Sequence, residues 1–172
     1  NAVAINVIAD VLTATAQGLI DLDTTIASLT ASTTAAGAIT INETDTITLT
    51  NVTTNDGAIT VEAADTITAA IVDSSNTDND SNDITLTSTG GAIVVGVLTA
   101  GSQNDVTLDA QGGAISDSSA AAINVIADVL TATAQGLIAL DTTIASLTAS
   151  TIAAGAITIN ETDAITLTDI GT

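Results

Sequence analysis

The sequence predicts an all-β protein, a parallel β-solenoid in the form of a right-handed β-helix of about eight coils. Three observations predict this fold: an internal duplication, a recurring Gly-Ala-Ile phrase, and short segments in which apolar and polar residues alternate. Alternation with a period of two, rich in β-branched residues, is typical of strands with one buried face. Tandem immunoglobulin-like β-sandwiches are the alternative, because the length of the duplicated unit suits them.

The duplication relates residues 4–52 to residues 122–170, with 44 of 49 positions identical and an offset of 118. Repeats of this kind stack on their neighbours and share one core. We therefore expect residues 1–172 to form a single continuous repeat array in which the two segments superpose along one axis. We also expect the chain to be a portion of a longer tandem-repeat protein.

The Gly-Ala-Ile phrase marks a finer period inside the duplicated unit. It divides a 118-residue unit into about five coils, with a Gln-Gly-Leu-Ile variant at Gly136, and its longest interval is 34 residues. Glycine at the markers would permit tight corners, including corners in which φ is positive. The phrase begins at Gly37, Gly57, Gly91, Gly113 and Gly155.

The alternating segments predict which side chains form the core. In the coil that follows Gly37, Ile39, Ile41, Ile47 and Leu49 should face inward while the intervening threonines face water. The same pattern recurs at Ile59 and Val61, Ile84 and Leu86, Ile93 and Val95, Val106 and Leu108, Ile123 and Val125, Ile157 and Ile159, and Ile165 and Leu167.

Two alanine-rich stretches, residues 5–16 and 19–31, also contain helix-forming residues. Their threonines disfavour a helix, because a β-branched side chain loses rotamer freedom against the preceding helical turn. Apolar residues still alternate through Leu12, Ala14 and Ala16. We therefore predict strands in both stretches.

The composition excludes most chemistry. The chain has no Lys, Arg, His, Cys, Met, Pro or aromatic residue, against 20 acidic residues and a net charge of -20. A nucleophile needs a base, and a polyanion needs cations, so we predict no enzyme, no catalytic or cofactor-binding residue and no nucleic-acid partner. No apolar run reaches 18 residues, which argues against membrane insertion. Such an acidic, threonine-rich surface is typical of an extracellular or cell-surface location.

Three phrases carry a family resemblance: Gly90-Gly91-Ala92-Ile93, Asp83-Ile84-Thr85-Leu86-Thr87 and Asp105-Val106-Thr107-Leu108. They resemble the filamentous-haemagglutinin-like repeats of large bacterial exoproteins. That resemblance spans essentially the whole chain and implies a right-handed β-helical fibre, secreted or on the cell surface, used in adhesion and matrix building. Within such a protein this cation-free chain is similar to the stalk and not to the binding tip.

The densest polar stretch, residues 73–83, is a candidate calcium site. Asp78, Asp80 and Asn82 have the alternating oxygen-ligand spacing of a calcium loop, and hard cations require several oxygen ligands. Divalent cations would also screen the uncompensated carboxylates. The candidate ligands are Asp73, Asp78, Asp80 and Asp83.

These observations together predict a structural subunit of an extracellular filament, stalk or sheath that associates with copies of itself, coaxially or laterally. One alternative is an adhesin stalk that presents a separate tip, and another is a surface-layer protein. The 34 threonines, with rows such as Thr46-Ile47-Thr48, also allow an ice-binding solenoid. Uneven coil lengths are expected to break such rows.

Overall fold

The computed structural model describes residues 5–118 and 123–172, and every regular element within these ranges is a β-strand. All pairings between the strands are parallel, which confirms the predicted β-solenoid and excludes antiparallel immunoglobulin-like sandwiches. The strands are β1 (Val7–Ala16), β2 (Ile20–Thr33), β3 (Ile39–Glu43), β4 (Ile47–Thr53), β5 (Ile59–Ala63), β6 (Ile67–Asp73), β7 (Ile84–Ser88), β8 (Ile93–Thr99), β9 (Val106–Ala110), β10 (Ile115–Asp117), β11 (Val125–Ala134), β12 (Ile138–Thr151), β13 (Ile157–Glu161) and β14 (Thr166–Gly171).

The strands stack in two columns, and each coil contributes to both. The first column contains β3, β5, β7, β9 and β14, and the second contains β4, β6, β8, β10 and β13. The longer strands β1, β2, β11 and β12 run through both columns. Eight levels of the first column follow from the strand register: Ile20, Ile39, Ile59, Ile84, Val106, Leu130, Leu147 and Leu167.

The hydrophobic core between the columns is formed by Ile, Leu, Val and Ala side chains, and most of the predicted inward residues are buried in it. Ile39, Ile41, Ile47 and Leu49 are all 0% exposed. The two alanine-rich stretches form β1 and β2, so the strand prediction is confirmed there as well. Side chains of this size suit a narrow tube, because like residues stack from one coil to the next and leave no wide interior to fill.

Two of the predicted core residues are not buried. Ile123 is 37% exposed, since β11 begins only at Val125 and the buried residue before it is Asn124. Leu167 is 62% exposed, although its counterpart Leu49 in the first copy is 0% exposed beneath β6. Ile157, Ile159 and Ile165 of the same final levels are partly buried against the core.

The marker glycines are required by close packing, and positive φ is the exception. Among the markers only Gly57 has a positive φ, of 151°. A Cβ on Gly37 would lie 2.3 Å from the carbonyl carbon of Gly18, one coil below. A Cβ on Gly155 would lie 2.6 Å from the carbonyl oxygen of Gly136. Gly57 is thus the one marker that uses the positive φ that glycine permits, and Gly37 and Gly155 are required because the backbone of the coil below lies too close for a Cβ.

The 34-residue interval between Gly57 and Gly91 is not one long coil. Gly57 precedes β5 in the first column, whereas Gly91 precedes β8 in the second column. The interval therefore covers one coil and a half, and the marker changes column within it. The polar stretch 73–83 lies in the turn between β6 and β7 and lengthens that coil.

Candidate functional site

The candidate calcium ligand Asp78 is bound to the coil above it. Its carboxylate accepts hydrogen bonds from Ser102 Oγ at 2.8 Å and from Asn104 Nδ2 at 3.2 Å. The backbone N–H groups of Ser102 and Gln103 add two more at 3.3 Å. These donors, the Ser102 hydroxyl foremost, lower the pKa of Asp78 below its ordinary value. Asp78 thus holds the 73–83 turn against the turn that follows β8.

The other three candidate ligands have separate environments. Asp73 Oδ1 accepts hydrogen bonds from the Ser75 backbone N–H at 2.8 Å and hydroxyl at 2.7 Å. Asp83 Oδ1 accepts one from the Asp105 N–H at 2.9 Å, and Asp80 is exposed. In the described ranges, no three or more acidic, His or Cys side chains are grouped so that they could hold a metal.

Asn82 lies near the end of this turn and is completely buried, as is Ser74 near its start. Its side-chain amide N–H donates to the Thr77 carbonyl, and its backbone N–H donates to Asn104 Oδ1 at 2.9 Å. Asn82 Oδ1 is a buried oxygen with no hydrogen-bond donor. A buried acceptor without a partner costs free energy, so this oxygen is the atom of the turn best suited to a water or a hard cation.

Glu43 is a buried carboxylate that the sequence interpretation did not single out. It accepts hydrogen bonds from Thr24 Oγ1 at 2.7 Å and from the Ile26 N–H at 2.9 Å, both one coil below. Its second oxygen accepts the Thr44 N–H at 2.8 Å. The signal was present in the alternation, since Glu43 has the same inward parity as Ile39 and Ile41. The equivalent Glu161 makes the same contacts with Thr142 and Thr162.

Two equivalent grooves lie along the edges of the solenoid. The first edge groove, of 580 Å³, is lined by residues that include Asp10, Thr25 and Asp45. The second edge groove, of 240 Å³, is lined by the corresponding residues Asp128, Thr143 and Asp163. Each groove therefore carries two carboxylates, in a chain that has no cationic side chain.

Two carboxyl groups near these grooves have raised pKa values. Loss of solvent around Asp45, followed by the negative charges of Glu43 and Asp65, raises the pKa of Asp45. Loss of solvent also raises the pKa of Asp105, and the charges of Asp83, Asp128 and Asp80 act in the same direction. Both shifts come first from lost solvation, and like charges that no cation compensates add to them.

Outward threonines form a continuous ladder on the first column. The register aligns one threonine in each of six successive levels, although uneven coil lengths were expected to break such a row. The row survives because the extra residues are confined to turns such as 73–83, outside the strands. The ladder consists of Thr40, Thr60, Thr85, Thr107, Thr131 and Thr148.

These columns define the chain as a β-solenoid repeat protein, a class in which each coil contacts only its neighbours. No protein-family model, no curated protein and no solved structure matches the chain. The phrases that carry the resemblance to filamentous-haemagglutinin-like repeats lie at the starts of β7, β8 and β9. Within the described part of the chain, no helix is long or apolar enough to cross a membrane.

Proposed function

We propose that the chain is a structural subunit of an extracellular or cell-surface filament, stalk or sheath. The observation that supports this role is the unbroken aliphatic stack, which passes from the first copy of the repeat to the second through eight levels of parallel strands. At about 4.8 Å per level the stack is a rod of roughly 38 Å. Because each coil packs only against the coils directly above and below it, such a rod can be lengthened by adding coils of the same kind.

The proposed partner is a second copy of the same chain. Coaxial association would pair strand edges and bury apolar side chains at the final levels, such as Leu167. Lateral association would instead use side chains on the edges, such as Leu137, which is 45% exposed. High negative charge opposes both, so association should strengthen with salt or divalent cations.

Electron microscopy and sedimentation of the purified chain test this proposal. We expect filaments one rod wide, whose formation is abolished by Leu167→Glu and retained by the matched edge variant Leu137→Glu. The reverse pattern would assign association to the edges. A chain that stays monomeric at every concentration, salt and calcium level would contradict the role as a self-associating subunit.

The threonine ladder favours a second candidate function, binding to ice. Its hydroxyl groups repeat at the strand spacing of about 4.8 Å, which presents a regular array to an ordered lattice. Thermal hysteresis measures this directly. Hysteresis that is lost in Thr85→Tyr and kept in Thr68→Tyr, a substitution in the second column, would support it. A native chain without hysteresis would eliminate ice binding.

A further inference from the structure

The two copies of the repeated segment begin in different columns of the solenoid. Ile20 of β2 pairs with Ile39 of β3 in the first column. Its equivalent, Ile138 of β12, pairs with Ile157 of β13 in the second column. Ile138 also pairs with Ile115 of β10, which lies in the second column one level below. Strand pairing on both sides of Ile138 therefore places it in the second column.

The exchange of columns is reciprocal. Leu29 pairs with Leu49 of β4 in the second column, whereas its equivalent Leu147 pairs with Leu167 of β14 in the first column. Ile20 lies in the first level, and Ile138 lies in the second-column part of the sixth level, which starts at Leu130. The 118-residue unit therefore spans five and a half coils, and not the five that its markers indicate.

Local contacts are the same in both positions, so the segment folds alike in either column. Each of three side-chain pairs in the first copy has its counterpart in the second, with nearly equal distances. They are Thr24–Glu43 and Thr142–Glu161, both 2.7 Å; Asn42–Asp23 and Asn160–Asp141, 2.9 and 2.7 Å; and Thr25–Thr44 and Thr143–Thr162, 2.6 and 2.7 Å.

The composition of the core explains why the columns are interchangeable. Both columns are filled by Ile, Leu, Val and Ala, and the chain contains no aromatic side chain that would fit only one of them. A half-coil shift therefore exchanges aliphatic side chains for aliphatic side chains of similar size. The shift enters between Gly57 and Gly91, where the marker changes column.

We infer that the repeat is two-sided: successive copies display the same surface on opposite edges of the rod. The acidic edge groove at Asp10, Thr25 and Asp45 recurs at Asp128, Thr143 and Asp163 on the far edge. Two units return to the starting edge after about eleven coils, or roughly 53 Å. This inference does not depend on the filament proposal.

Distances between paired labels test the inference in the chain as it exists. The chain has no cysteine, so the double variant Thr44→Cys/Thr162→Cys carries spin labels at two exposed equivalent positions only. The matched control, Thr44→Cys/Ile152→Cys, joins positions on one edge, five levels apart through Ala64, Thr89, Gln111 and Gln135. With about 4.8 Å per level and about 3.3 Å per strand residue, we expect roughly 33 Å for the equivalent pair and roughly 24 Å for the control.

Biotin on the same cysteines gives a second readout. Streptavidin should appear on opposite sides of the rod for the Thr44 and Thr162 positions, and on one side for the Thr44 and Ile152 positions, in negative-stain images. Circular dichroism confirms that each variant is folded. Equal distances for the two pairs, or streptavidin on one side in both variants, would overturn the two-sided repeat whether or not the chain forms filaments.

Discussion

Glu43 Oε2 lies 2.7 Å from Thr24 Oγ1 and accepts its hydrogen bond from the coil below. The same oxygen accepts the N–H of Ile26 at 2.9 Å, at the corner where β2 passes between the columns. A carboxylate with several donors replaces the hydration that it loses on burial. Glu43 is therefore a corner clamp between two coils, and its charge is met by hydrogen bonds because the chain has no cation.

Replacing Glu43 with alanine should destabilise the solenoid. The Ile26 N–H and the Thr24 hydroxyl would lose the Glu43 acceptor, and we expect the free energy of unfolding to fall by about 2 kcal/mol. Urea denaturation followed by circular dichroism measures the change. Glu62→Ala is the control, because Glu62 is exposed in the next coil and should change stability by less than about 0.5 kcal/mol. Equal midpoints for the two variants would contradict the clamp.

Alanine at Gly37 should destabilise the solenoid, whereas alanine at Gly18, the glycine stacked beneath it, should leave its stability nearly unchanged. Gly37→Ala places a Cβ 2.3 Å from a Gly18 backbone atom, and we expect a loss of about 1–3 kcal/mol in unfolding free energy. Gly18→Ala is the matched control, since its Cβ would lie 3.7 Å from the nearest neighbour, the Ala36 carbonyl oxygen. Urea midpoints compare the two. A Gly37→Ala protein as stable as the native chain would show that the turns can separate freely.

The alternation of apolar and polar residues was enough to predict most of the fold. The burial of Ile39 and Ile41 follows from the period-two alternation. A strand with one solvent-exposed face can direct only one of its two alternating sets of side chains into the core. Glu43 shares their parity, but its burial depends on donors from a coil 19 residues earlier, which no local pattern shows. The column of each strand is equally nonlocal. Gly57 and Gly91 begin the same phrase in different columns, and only the strand register distinguishes them.

The candidate site was harder to predict than the fold for the same reason. Spacing along the chain grouped Asp78 with Asp80 and Asn82, whereas the fold directs Asp78 towards Ser102 in the next coil. Uneven coil lengths were also expected to break the threonine ladder. The ladder persists because the buried face of each strand sets its register, and this register tolerates long turns between strands. Stacking between coils, and not sequence distance, decides which polar groups meet.

Stability should rise as the pH falls from 7 towards 4. Asp45 and Asp105 have folded-state pKa values above the ordinary 3.8, so the folded protein binds their protons more tightly than the unfolded chain does. Their contribution is complete below pH 3.8 and is lost as the pH rises through the folded-state pKa. Asp78, whose pKa is lowered, acts oppositely: its contribution is present above pH 3.8 and is lost as the pH falls further.

Thermal melts across this pH range check the prediction. Asp105→Asn should raise the melting temperature at pH 7 and reduce the gain seen on acidification. Asp21→Asn removes the same charge from an exposed strand position that is alanine in the second copy, at Ala139, and is the control. A melting temperature that falls steadily from pH 7 would contradict the raised pKa values of Asp45 and Asp105.

Calcium should stabilise the chain through the 73–83 turn. The buried Asn82 Oδ1 has no donor, and Asp80, one of the ligands predicted from the sequence, is exposed two residues before it. A calcium site here requires the turn to bring several such oxygens onto one ion. We expect millimolar calcium to raise the melting temperature and EDTA to reverse the rise.

General screening of the carboxylates would also stabilise the rod, and a charge-matched pair of variants separates the two effects. Asp80→Asn should abolish most of the calcium-dependent shift, whereas Asp169→Asn, which removes one charge from β14, should retain it. Equal shifts in both variants, matched by magnesium at the same ionic strength, would assign the effect to screening and remove the calcium site.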